Sequence, residues 1–426
     1  MNKAALIICL APLLYACSNK ENSLPSPIEM SAVRARLAFT CTHEVDHLPS
    51  LDPIADQIFK YGRHLEKKNG PKDSNDIARY YRIAAAYGHY KANNNLQGLL
   101  TDGSASSPDA AGEAIDLAGQ LIKEGVPGGY YDMGHYLEDG YGVDQDADMA
   151  RRHFRKAADL GSPEAQYYVG YLLLPSDKAP DIARQMIQCA IDQGYGKAAS
   201  TLGMDRQDHN LFPEAVEAFQ KGVEAGDSQS ASLLEDGFKA PPPTQIVNYM
   251  ALPADPERSR RYRLIWEFLT DNDGRNPKVP DIDQIVPLPP TKLPPWDGTF
   301  QWQKEQDAAV PPQKPSDQLI ERLAKAKNLD PATGLPLSAS KTSQIERPPL
   351  GTAAKTGERC PQDGVWRVSY LPRTAPNAVL RLCKGDIMPP LVMNSPRMVP
   401  GLDSLLGMRQ HRSEVEWKLI SYDDQA

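Results

Sequence analysis

The most specific chemical signature in the chain is His43-Glu44-Val45-Asp46-His47. On an α-helix, His-Glu-x-x-His sets two imidazoles one turn apart to bind zinc, and the glutamate activates a bound water. Glu66 follows His47 by nineteen residues, a workable distance for a third ligand. Such a site needs a buried helix. Here Pro49 stands two residues after the second histidine, and the apolar periodicity around the motif is poor. These residues read better as hydrogen-bonded surface histidines ahead of a helix. No metal, no cofactor and no catalytic residue are expected, and a zinc hydrolase using His43, Glu44 and His47 is the last of three readings of the chain.

Cysteine carries the remaining chemistry. Met1-Asn2-Lys3 is followed by an apolar run from Ala4 to Leu14 and then by Leu14-Tyr15-Ala16-Cys17. Eleven apolar residues at about 1.5 Å each reach roughly half of a bilayer core, so the run is a secretory signal and not a spanning helix. Leu-x-Ala-Cys resembles the lipobox of bacterial lipoproteins. The resemblance implies a signal over residues 1–16 and acylation of the Cys17 thiol (palmitate among the chains). It also implies a tether over 17–43 and, because Ser18 and not Asp follows, export to the outer membrane facing the periplasm. Each buried methylene contributes about 0.8 kcal/mol to such an anchor. Cys41, Cys189, Cys360 and Cys383 remain, an even number in a compartment where disulfides persist. His89-x-Lys91 resembles the opening of a phospholipase D motif, but Leu96 stands where the aspartate is required. No nucleophile elbow, phosphate loop or dinucleotide fingerprint is present. With a formal net charge of −8, general nucleic-acid binding is excluded.

The elements that would carry any site show in the spacing of glycines. Gly88, Gly125, Gly161, Gly194 and Gly226 are 37, 36, 33 and 32 residues apart. Four residues after them stand Ala92, Gly129, Ala165, Ala198 and Ser230; eight after stand Leu96, Met133, Val169, Leu202 and Leu234. Seven before stand Tyr81, Ala118, Phe154, Ile187 and Phe219, and eleven before stand Ile77, Ala114, Ala150, Ala183 and Ala215. Offsets of −11 and −7 share one helix face, the glycine ends that helix, and the next helix crosses it closely through small residues. A unit of this kind buries its apolar face only by stacking, which predicts an α-solenoid. Ala150 to Gly161, Pro163 to Gly170 and the loop Gly140-Tyr-Gly142-Val143 resemble the Sel-one-like repeat, a relative of the tetratricopeptide repeat. The resemblance spans about 72–240 within a solenoid set at 44–272, with helices over 53–68 and 256–269 as its caps.

Composition changes after Asn276. Ten prolines fall within 277–315, predicting an extended segment. Trp296, Phe300 and Trp302 favour a strap laid across the solenoid over a free spacer. A short helix over 316–327 follows, and strap and linker together occupy 273–355. Alternating stretches at 365–371, 378–383 and 414–422 predict a small antiparallel β module over 356–426. Cys360 and Cys383 stand 23 residues apart at the ends of two of its strands, predicting a disulfide that contributes about 3 kcal/mol. A second bridge between Cys41 and Cys189 is left open, since Cys189 falls on a repeat helix where packing alone would account for it. The fold class is therefore mainly α: a helical-repeat solenoid, a proline-rich extended segment and a C-terminal β module.

Solenoids bind proteins. Tyrosine is abundant, 18 against 8 phenylalanines. Tyr131, Tyr136, Tyr141, Tyr168 and Tyr171, with Trp296 and Trp302, are the candidate partner contacts. Arg258, Arg260, Arg261 and Arg263 form a basic cluster that reads first as a solvated face, with a contact to lipid headgroups or an acidic partner as the alternative. The lipobox, the repeats, the Trp296-Asp-Gly strap and the Cys360-Pro-x-x-Gly-x-Trp366 stretch together resemble lipoproteins encoded beside type VI secretion lipase effectors. That resemblance implies a non-enzymatic immunity protein whose partner is a lipase or phospholipase toxin. An envelope scaffold is the alternative.

Overall fold

The computed structural model describes residues 35, 37–68, 70–175, 179–337, 351–368, 379–395 and 409–422. Cys17 and the expected signal segment lie outside the described residues, as do residues 338–350 of the expected linker. Helix α1 (Pro53–Lys67) opens an array of five helix pairs. These are α2 (Ser74–Ala85) with α3 (Tyr90–Thr101), α4 (Ala110–Lys123) with α5 (Pro127–Asp139), and α6 (Ala147–Asp159) with α7 (Pro163–Leu173). The last two are α8 (Pro180–Asp192) with α9 (Gly196–Asp208) and α10 (Phe212–Glu224) with α11 (Ser228–Gly237). Helix α12 (Pro256–Asp271) follows, and every helix from α1 to α12 packs on its neighbours in sequence, the mark of a solenoid.

The five spaced glycines sit where the periodicity puts them. All have φ between +76° and +99°, a region that only glycine enters without cost. The residue after each glycine donates its N–H five positions back, as His89 does to Ala84 and Ser162 to Ala157, closing the first helix. That same residue caps the second helix in three pairs: the side chains of His89, Ser162 and Asp227 accept from Ala92, Ala165 and Ser230. A two-residue joint thus ends one helix and starts the next.

The proline-rich segment is a strap, and it is not extended throughout: helices interrupt it where 281–286 and 300–309 are free of proline. Val279 N–H donates to the Glu224 carbonyl, and the Lys278 ammonium reaches the carbonyls of Ala225 and Gly194. The short helix α13 (Ile282–Ile285) buries Ile282 and Ile285 with Val286 against α10 and α12. Phe300 stacks on Phe268 at 3.9 Å, and helix α14 (Gln301–Ala308) buries Trp302. Helix α15 (Asp317–Ala326) then inserts Ile320, Leu323 and Ala324 into the core formed by Ile58, Ile77, Tyr80 and Leu96. Arg79 and Arg82 donate to the carbonyls of Pro331 and Thr333. The strap therefore ties the last repeat to the first.

This arrangement corrects the reading of the arginine cluster. Arg258 is buried and donates to the carbonyls of Pro287 and Thr291; Arg261 is buried and donates to those of Ile285 and Pro294. Arg260 and Arg263 are paired with Glu257 and Glu267. An extended proline-rich backbone has carbonyls but few N–H groups to pair with them, and guanidinium donors satisfy the deficit.

The β module holds a four-stranded antiparallel sheet ordered β1 (Ala353–Lys355), β6 (Glu416–Tyr422), β2 (Gly364–Val368), β3 (Val379–Leu382). A separate hairpin pairs β4 (Leu391–Ser395) with β5 (Arg409–Ser413). Trp366, Trp417 and Leu419 form its core. Arg367 reaches Asp146 at 3.2 Å and Asp144 at 3.4 Å, so the module is held against the loop before α6.

The cysteines pair differently from expectation. Cys41 is bonded to Cys189, whereas Cys360 and Cys383 are free thiols, and the expected Cys360–Cys383 bridge is not formed. The backbone explains this. Cys360 exchanges hydrogen bonds with Gly385 and Asp386, past Cys383, and its thiol turns into the core toward the Gln362 carbonyl. Cys383 is exposed.

Candidate functional site

The segment 37–47 runs along the joints of the third and fourth repeats before α1 begins. Phe39 is buried beside Ile182 and Met186, and Cys41 is stapled to Cys189 on α8. Gln166 donates to the Thr42 carbonyl, and Glu44 N–H donates to Gln193 at 2.8 Å. Gly161 fits beneath this segment because a Cβ there would stand 2.5 Å from the His43 carbonyl carbon. The zinc reading of His43, Glu44 and His47, already the last of the three, does not fit this geometry. Only Glu44–His47 turn, as a 3-10 helix of four residues, and His43 precedes it in extended conformation, so the two imidazoles are not stacked one α-turn apart. Glu66 is engaged by Arg63 and Tyr81. His43 does lie beside the two sulfurs of Cys41 and Cys189, but those sulfurs are bonded to each other.

The segment instead carries Glu44 to a recess between α3, α5, α7 and the joint at Tyr195, where Lys91, Asp132 and Glu164 are its charged neighbours. Asp132 on α5 accepts from the Asn94 amide of α3 at 3.0 Å. It keeps some contact with solvent, yet protein surrounds it on nearly every side. Burial pushes the Asp132 carboxyl up to about 7; the Asn94 hydrogen bond opposes this and the Glu164 charge adds to it. Glu44 is likewise pushed up to about 7, first by burial and then by Glu164, against the pull of Lys91. Burial also raises the phenols of Tyr90, Tyr131 and Tyr195, the last to about 12, so all three remain neutral donors. Carboxyls and phenols from four repeats and the N-terminal segment thus meet in one recess.

Both carboxyls bind protons more tightly folded than unfolded. Their contribution to stability is complete below about pH 4 and is lost as pH rises through about 7. Urea unfolding at about pH 5 and about pH 8 checks this. Stability should fall over that interval, and Glu44→Gln with Asp132→Asn should remove much of the fall. An unchanged slope in the double variant would dismiss the assignment.

An aromatic group adjoins the recess. The His135 ring lies 4.7 Å from Tyr131, 4.8 Å from Phe154 and 5.3 Å from Tyr168, and Tyr168 donates to Glu138 at 2.9 Å. The seven aromatic residues expected to bind a partner do not form one patch. Tyr131 and Tyr168 are together here and half-buried, while Tyr171 on the same helix as Tyr168 is half exposed and packs on Tyr167. Tyr136 is buried, its hydroxyl on Gln97, and Tyr141 packs against it on the core side. Trp302 is buried under Phe268, and Trp296 is half-buried against Phe300 and Arg261. Tyr136 and Trp302 are therefore structural, because a side chain already enclosed by its own core has no surface to offer.

Sequence reading missed Glu44 as a recess residue, together with Asp132, Glu164, Lys91 and Asn94. A signal existed. Lys91 and Glu164 each stand three residues after a repeat glycine and Asp132 seven after, a polar stripe of the second helix that flanks the small-residue column. Nothing in the recess pairs a nucleophile with a base; it offers carboxyl acceptors, phenol donors and ring faces, which suits recognition of a protein surface.

Comparison with known proteins agrees with this architecture. Residues 127–162 and 163–195 match the Sel1 repeat, and residues 230–337 match a domain of unknown function, DUF6396, which spans the final helices and the strap. Three solved structures from Pseudomonas aeruginosa are similar. Immunity protein Pa5087 shares 30% identity at a TM-score of 0.51, over 59% of this chain and 95% of that one. The protein described as Pseudomonas aeruginosa 5086 shares 30% identity at 0.50, with the same coverage. Immunity protein PA5088 shares 28% identity at 0.50, over 59% of this chain and 94% of that one. No curated protein matches the sequence.

Proposed function

Because the chain carries Sel1 repeats and belongs to the family of immunity protein Pa5087, we propose that it is itself an immunity protein. On this reading it captures a type VI secretion lipase or phospholipase effector in the periplasm, and Cys17 anchors it by acyl chains to the outer membrane. The observation that carries the proposal is the 30% identity to Pa5087 across nearly the whole of that protein's length. The recess supports it. Carboxyls forced toward neutrality by burial regain their charge when a partner supplies a lysine or arginine, so part of the cost of desolvation becomes binding energy.

The test is co-expression. A lipase effector encoded beside this gene, directed to the periplasm, should stop growth, and this protein should restore it by binding one to one. Glu164→Lys should weaken the purified complex, since it places a cation where the partner's cation belongs. Cys17→Ser should leave binding in solution intact and weaken protection in cells. Absence of protection by the wild-type chain would end the immunity reading; equal protection by Cys17→Ser would end the role given to the anchor.

A further inference from the structure

The exposed face of α6 is a basic patch on an acidic chain. Arg151, Arg152, Arg155 and Lys156 share it with only two carboxylates, Asp148 and Asp159. Those carboxylates are engaged by Arg151 and Arg155. Arg152 and Lys156 are exposed and have no carboxylate partner among the described residues. This face is also where the N-terminal segment joins the body. Arg155 donates to the backbone carbonyls of Leu37 and Ala38, at 3.1 and 2.6 Å. Nineteen residues separate Leu37 from Cys17, and two of the last three before it in sequence are Arg34 and Arg36.

We propose that the α6 face is a docking surface for anionic phospholipid, pressed against the bilayer on which the tether ends. The position of the tether argues for a lipid surface over other polyanions. Nineteen residues at no more than about 3.5 Å each limit how far the body can stand from its anchor, so the surface nearest the point of attachment is the one kept closest to the membrane. Arg152 and Lys156, with two further cations that remain partly exposed, then face phosphate groups, while the acidic remainder of the body is held away. The effect is orientation: the acyl anchor fixes the distance, and α6 fixes which side of the solenoid faces the leaflet. This rests on the anchored reading only for where the membrane lies.

The test uses full-length chain carrying Cys17→Ser, without acyl groups and without toxin, so that its outcome is independent of the immunity assay. Sedimentation with vesicles of phosphatidylglycerol and phosphatidylcholine in equal parts should retain the protein, and vesicles of phosphatidylcholine alone should not. Each basic side chain at an anionic surface is worth roughly fivefold in partitioning, so Arg152→Glu with Lys156→Glu should lower retention by about 25-fold or more. Lys123→Glu, on α4, should leave it unchanged. The milder pair Arg152→Gln with Lys156→Gln, checked by its thermal melt, covers the case in which charge reversal disturbs folding. Equal retention of the α6 variants and the parent, equal loss in the Lys123 control, or no preference for phosphatidylglycerol would each overturn the proposal.

Discussion

Replacing Cys41 and Cys189 together with alanine lowers the unfolding free energy by about 5 kcal/mol, as measured by urea titration against the oxidised parent. The bond spans 148 residues of sequence. A cross-link of that reach restricts the unfolded chain more than a short one, and the chain-entropy relation converts the separation to this figure. The folded state adds a local term. The bond holds segment 37–47 against α8, with Phe39 in the same apolar cluster as Cys189 and with Gln166 and Gln193 bonded to its backbone. Without the bond the segment keeps those contacts but can detach alone, so Glu44 and the wall of the recess loosen before the helices unfold. Protection of the amides near Glu44 from hydrogen exchange should therefore fall by more than that of α10 or α11. A loss below about 1 kcal/mol with unchanged exchange at the segment would mean that the bond carries neither role.

That bond also marks how far sequence could lead. Pairing Cys360 with Cys383 rested on proximity in sequence within a small module, and the strands do bring the two neighbourhoods together. The register then places Gly385 and Asp386, not Cys383, opposite Cys360. Register along a short two-strand approach depends on turn geometry, and no local pattern encodes it. Cys41 and Cys189 were legible only as a possibility, because the contact between them requires an extended segment to travel back across two repeats.

Periodicity fared better. The five glycines, the apolar columns and both capping helices follow from local rules: helical spacing, left-handed caps and the need to bury one face. The strap was legible in Trp302 and Phe300, which are buried. Its fastening was not. Four arginines in six residues look like a charged surface until the carbonyls of a proline-rich neighbour are placed beside two of them. The recess was illegible for a similar reason. Asp132 and Glu164 are ordinary surface residues of single helices, and only the stacking of repeats and the returning segment surround them.

A further periodic signal leads to the second large effect. Gly203→Val on α9 costs at least about 3 kcal/mol, the upper range for overpacking a core. Three first-helix residues of the −7 column rest on a glycine of the preceding second helix: Phe154 on Gly134, Ile187 on Gly170 and Phe219 on Gly203. Each of these glycines follows its repeat glycine by nine residues. An added Cβ at Gly203 would stand 2.5 to 2.8 Å from three atoms of the Phe219 ring, and Phe219 is fully buried with no room to retreat. None of the three has the positive φ that would require glycine for backbone reasons, so the demand is purely one of space. Ala118 occupies the same column in the second repeat, and Gly98 on the helix before it has nothing within 4 Å of an added Cβ. Gly98→Ala should therefore stabilise by roughly 0.5–1 kcal/mol through helix propensity, the opposite sign from the same change at Gly203. Combining Gly203→Ala with Phe219→Leu supplies the check on mechanism. If the ring is what the glycine accommodates, the two changes together should cost less than their sum by about 1 kcal/mol or more. Additive losses would place the requirement for glycine at position 203 somewhere other than the knob of its neighbour.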